Sequence, residues 1–184
     1  VNLSAQLETW LAQEASVQAR LSGGVGAGVS RPEQIAGQSG LGLMQAMLRG
    51  ELPYPPIART LDFQLMEVAE GRAVFQGRPG PDHLNPMGGI HGGWYATLLD
   101  SALGCAVHTM MPPGRGYTTA ELSVNLVKAI VPAKTPRVRA EGKVIHCGRQ
   151  LATAEAQLFG PDGTLYAHAT TTCLVFELPA QSKA

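Results

Sequence analysis

The sequence carries no surplus of either charge: 14 lysines and arginines meet 14 aspartates and glutamates over 184 residues. Without a net field, neither nucleic acid nor an anionic membrane surface is an expected partner, and any anionic ligand must be held by local groups. Cysteine is scarce as well. Cys105, Cys147 and Cys173 are far apart with no Cys-x-x-Cys spacing, which argues against a disulfide framework or a structural zinc site and for reduced core thiols. The histidines do not fall at metal-ligand spacings such as i, i+4, so no metal is expected. Long apolar runs are missing too. No stretch reaches the roughly 18 unbroken apolar residues that span a bilayer, and the first residues lack the basic and apolar regions of a secretory signal, so a cytoplasmic location is expected.

What is present suffices for one ordinary core, since 45% of the residues are hydrophobic. Leu3, Leu7, Trp10, Leu11, Val17 and Leu21 recur at helical spacing, and "SGGVGAGVSRPEQ" then breaks the pattern. This predicts an appended helix and a flexible linker over residues 1–38, ahead of a domain over 39–184. The glycines of the linker follow a helix and do not match G-x-G-x-x-G, which removes a phosphate-cradle reading. Leu41, Met44, Met47 and Leu48 mark a short amphipathic helix that stops at Gly50.

From Thr60 the period changes to two. "TLDFQLMEVAE" and "RAVFQGR" form a hairpin, an apolar helix runs from about Gly92 to Met110, and four further strands follow. In "RVRAEGKVI", Arg137, Arg139, Glu141 and Lys143 alternate with Val138, Ala140, Gly142 and Val144, which predicts one wet and one packed face. The fold class is therefore α+β: an antiparallel sheet with a single face to cover and one long central helix to cover it.

Asp100 lies in the middle of that apolar helix. Aspartate is rarely buried without a partner, and the plainer explanation has it capping backbone amides at a sheet edge. At 100° per residue its stripe gathers Gly93, Ala96, Thr97, Leu103, Gly104 and Val107, and the small residues among them leave room for a ligand or for a second helix. At the helix start, Gly92 and Gly93 let a group approach unpaired N–H donors, although they also suit a tight strand-to-helix turn. Asp100 lies roughly 12 Å along the axis from Gly92 and about 80° around it. If both act on one substrate carbon, the carboxylate comes from a second, antiparallel copy of the helix, which predicts an obligate symmetric dimer.

The stretch "HLNPMGGIHGGWYATLLDSALG", together with "TTAELSVNLVKAIVP", "EGKVIHCGR" and "GTLYAHATTTCLVF", resembles the hotdog-fold acyl-CoA thioesterases, in the subgroup associated with phenylacetate degradation and 4-hydroxybenzoyl-CoA hydrolysis. The likeness spans residues 39–178. It implies a hotdog fold, hydrolysis of acyl-CoA or aryl-CoA thioesters as in aromatic compound degradation, and a homodimer assembled into a homotetramer of two dimers. No cofactor is implied, because coenzyme A is part of the substrate. By the same resemblance Asp100 is the nucleophile or general base, Gly92 supplies the amide that polarises the thioester carbonyl, and Asn85 positions the carboxylate or the attacking water. His91 holds the thioester or the helix entrance, and Thr119 binds the water beside the carboxylate. Some relatives carry Thr or Ser one turn after the carboxylate, where this chain has Gly104, so Thr119 is the expected substitute. Lys128, His146, Gly148 and Arg149 match the strand ends that hold the nucleotide; His108 and His168 are assigned no role. Trp94, Tyr95 and the Met87 loop are candidate walls for the acyl group. A hotdog enoyl-CoA hydratase or dehydratase and a non-catalytic acyl-CoA-binding subunit are the competing readings.

Overall fold

The structure is a computed structural model that describes residues 3–179, with Leu3 and Ser4 described by their backbone alone. Five helices, α1 (Leu3–Ser22), α2 (Pro32–Ile35), α3 (Gly40–Leu48), α4 (Pro56–Thr60) and α5 (Gly92–Thr109), accompany six strands. The strands are β1 (Phe63–Ala69), β2 (Arg72–Gly77), β3 (Arg115–Leu126), β4 (Val138–Cys147), β5 (Leu151–Phe159) and β6 (Leu165–Glu177). They form one antiparallel sheet in the order β1-β2-β4-β5-β6-β3. The hairpin, the central helix and the four later strands stand where the change of period placed them. The single turns α2 and α4, each begun by a proline, are too short to leave a periodic trace.

Helix α5 lies across one face of the sheet. Leu98, Leu99, Ala102, Leu103, Ala106 and Val107 are fully buried there among Phe75, Val138, Ala140, Ala154 and Leu158. Cutting one such leucine to alanine costs about 2–5 kcal/mol. The approach of helix to sheet is closest at Gly142, where a Cβ would lie 2.3 Å from the Ala102 carbonyl oxygen. No side chain fits there. From the other side α3 lies over α5, anchored by the Gly40 N–H donating to the Met111 carbonyl at 2.8 Å.

The sheet has a second covered face, contrary to the expectation of one. α1 lies across the outer side of the β1, β2 and β4 region, burying Trp10 and Val17 against Met66, Val74 and Phe159. Arg139, read from its alternation as wet, is 5% exposed. Its guanidinium sits 4.6 Å from the centroid of the Trp10 ring and donates to Gln76, Gln13 and Glu67. Glu14 on the same helix accepts from Arg137 at 2.7 Å and from Gln76 at 3.1 Å. Leu11 lies off this face, 40% exposed. The glycine linker is tied down rather than free of contacts: the Val25 N–H donates to Gly50, Tyr54 to Gly26, and Gly28 to Tyr54.

Candidate active site

The helix that carries Asp100 begins with a cap. His91 has extended backbone angles, and its Nδ1 accepts from the Gly93 N–H at 2.9 Å, while its carbonyl accepts from Trp94. His91 thus holds the helix entrance, and in the neutral ring Nε2 carries the proton. The Gly92 N–H, first of the helix, has no acceptor among the described residues. An unpaired donor at the positive end of an 18-residue helix suits a polarised carbonyl oxygen. Asn85 closes the preceding loop: its Oδ1 accepts from the Met87 N–H at 2.9 Å and the Gly89 N–H at 3.1 Å. The Asn85 Nδ2, which has no acceptor among the described residues, lies 3.6 Å from where a Cβ at Gly89 would stand, three residues before the helix.

Asp100 stands apart from this group, on the half-buried side of α5 that faces β3. The Thr119 hydroxyl donates to its Oδ1 at 3.2 Å. The other hydroxyls nearby are engaged with their own helix, Thr97 donating to the Gly93 carbonyl and Ser101 to that of Thr97. Thr119 reaches the carboxylate because of where β3 is irregular. Pairing with β6 runs Thr119 to Cys173 and then Glu121 to Thr172, so Ala120 is a bulge. The alternation switches there, which aims Tyr117 and Thr119 at α5 ahead of the bulge and Leu122 and Val124 after it.

Cys105 cannot serve as a rival nucleophile. Burial, reinforced by the charge of Asp100, pushes its thiol up to about 12, so the reactive thiolate is absent at neutral pH. Among the described residues no cluster of three or more His, Cys, Asp or Glu could hold a metal ion. The described helices include none long and apolar enough to cross a membrane.

The residues matched to nucleotide binding are not gathered by one chain. His146, Gly148 and Arg149 surround the β4–β5 turn, where the Gly148 N–H donates to Leu151 and the Arg149 carbonyl accepts from Arg115. Lys128 follows the far end of β3, its N–H on the Tyr166 carbonyl. Trp94 and Tyr95, the candidate walls for the acyl group, lie in the core of this chain. Both are buried and committed to the fold, the Trp94 Nε1 donating to the Leu61 carbonyl and the Tyr95 hydroxyl accepting from the Ile130 N–H, each at 2.8 Å. Met87 is 92% exposed. A cavity of about 820 Å³ opens on the other flank of α5, between Met44, Leu48, Tyr54, Phe63, Leu65 and Cys105. Asp100 is not among its walls. Sequence reasoning passed over Tyr117. The signal for Tyr117 was its place two residues before Thr119 in a strand of alternating faces.

Comparison with known proteins bears on this geometry. Residues 87–167 match the thioesterase superfamily, a stretch that runs from the Asn85 loop through α5 to β6. A thioesterase family protein from Silicibacter pomeroyi shares 25% identity over 73% of this chain and 96% of its own, with a TM-score of 0.62. The chain has the hotdog fold of these proteins. A variant of the phenylacetic acid degradation protein PaaI from Thermus thermophilus is 27% identical, over 65% of this chain and 97% of its own, at a TM-score of 0.58. A phenylacetic acid degradation-related protein from Ralstonia eutropha is also 27% identical, covering 71% and 97%, at 0.64. No curated protein matches the chain.

Proposed function

We propose that this hotdog protein hydrolyses acyl-CoA or aryl-CoA thioesters, with Asp100 as the general base and the Gly92 N–H as the donor to the thioester carbonyl. The observation that carries the reading is the Asp100 carboxylate itself, half-buried on α5 and held by Thr119, in a fold whose neighbours are named thioesterases. A thioester is already activated, so one base and one or two oriented donors suffice. Asn85 contributes its free Nδ2 beside the carbonyl, and His91 keeps the Gly92 amide in place by capping the amide after it.

Gly92 and Asp100 are too far apart along one helix to share a carbon, so the site is built from two chains of a homodimer. The unpaired edge of β3 supports this, since most of that strand is exposed on both faces, an invitation to pair with another strand. Antiparallel pairing of β3 with its copy brings Lys128 of the partner subunit to the sheet end that carries His146, Gly148 and Arg149, assembling a basic rim for the coenzyme phosphates. In a tetramer of two dimers, α1 occupies the outer face of the sheet, which leaves the helix side for the second contact.

Two of the neighbours are named for phenylacetic acid degradation, which makes aryl-CoA esters the first to assay. Asp100→Asn keeps the shape and removes the base; kcat is expected to fall by about two to four orders of magnitude with substrate affinity retained. Full activity in that variant refutes the assignment. Release of free thiol without loss of enoyl absorbance separates hydrolysis from a hydratase reaction, and tight binding without turnover would instead identify a binding subunit.

A further inference from the structure

Gly104 follows Asp100 by one turn of α5, and the space its missing side chain would leave is already filled. A Cβ built at Gly104 would lie 2.9 Å from the Tyr117 hydroxyl oxygen and 3.3 Å from ring carbon Cε2. Tyr117 and Thr119 share one face of β3 ahead of its bulge, and they meet the helix one turn apart, Thr119 at Asp100 and Tyr117 at Gly104. His108, a further turn along, packs edge-on to the tyrosine ring at 5.6 Å between centroids and fixes its plane. No group among the described residues bonds the phenolic oxygen, although tyrosine hydroxyls in such surroundings find partners.

We propose that the Tyr117 hydroxyl, and not that of Thr119, which is spent on the Asp100 carboxylate itself, holds the hydrolytic water against Asp100. This rests on hydrolysis by Asp100 as read above. The water gives one hydrogen bond to the Asp100 carboxylate and the other to the Tyr117 oxygen, which leaves its lone pair directed at the thioester carbon. As the new C–O bond forms, Asp100 takes the first proton and the carbonyl oxygen becomes an oxyanion on the partner subunit's Gly92 N–H. Collapse breaks the C–S bond, and Asp100 returns the proton to the thiolate, giving the free acid and the CoA thiol. Burial, with the neighbouring Cys105, Cys173 and Asp100, holds the Tyr117 phenol well above its ordinary range. Its hydroxyl therefore stays protonated at neutral pH.

Tyr117→Phe keeps the ring and its contact with His108 and removes the oxygen. Its kcat is expected to fall on the order of tenfold or more, with KM changed by less than about twofold and the melting temperature unchanged. Gly104→Ala pushes the hydroxyl aside and lowers kcat in the Tyr117 background. In the Tyr117→Phe background it adds little, because the displaced oxygen is already gone. Wild-type kcat in Tyr117→Phe, or losses that multiply in the double variant, would overturn the proposal. Asp100→Asn assayed in parallel keeps the two claims apart: an inactive Asp100→Asn beside a fully active Tyr117→Phe removes the water-holding role alone, and an active Asp100→Asn removes the hydrolysis reading beneath it.

Discussion

Gly92 offers an unusual opportunity to delete one hydrogen atom. It occupies the first position of α5, where proline is well tolerated because its ring presets a helical φ and its missing N–H has no helical partner anyway. His91 before it has φ −63° and ψ 135°, the conformation a residue preceding proline prefers. Gly92→Pro therefore removes the proposed carbonyl donor while sparing the helix. A Cβ at this site lies 3.1 Å from the tip of Leu126, a contact that Gly92→Ala introduces as well without touching the N–H. The comparison isolates the donor: kcat for Gly92→Pro should fall by about a hundredfold or more relative to Gly92→Ala. Equal rates in the two variants would show that the amide does not bind the oxyanion.

At the scale of elements, α1 gives the sheet a second interior. Trp10 contributes most to it, 3% exposed, edge-on to Phe159 and beneath Arg139. Trp10→Ala should cost about 3–5 kcal/mol by urea unfolding, a loss that an appended helix without tertiary contacts would not produce. The sequence could not announce this role. Alternation groups Arg139, Glu141 and Lys143 on one face of β4, with Arg137 just ahead of it, but carries no information about what covers that face, and charged residues suggest water by default. α5 was legible because it is apolar nearly all round, a pattern that only a buried helix tolerates. Asp100 stood out against that background, and the family likeness supplied Thr119. Tyr117 stayed hidden for a local reason: its spacing puts it on the face of Thr119, but that its hydroxyl meets α5 at Gly104 is set by the packing of strand on helix, which no spacing records.

For the whole molecule, the decisive question is whether Gly92 and Asp100 act on the same substrate from different chains. Separation along one helix argues that they do, and the exposed edge of β3 is the surface on which the proposed dimer would form. Asp100→Asn and Gly92→Pro chains, each inactive alone, should then rescue each other when co-expressed. In a mixed dimer one site unites the intact Gly92 of one chain with the intact Asp100 of the other, and the second site carries both lesions. Random pairing makes half of the dimers mixed, so about a quarter of wild-type activity should return. Were each site contained within a single chain, every site in every mixture would keep one lesion, and the co-expressed pair would be no more active than the average of its parents.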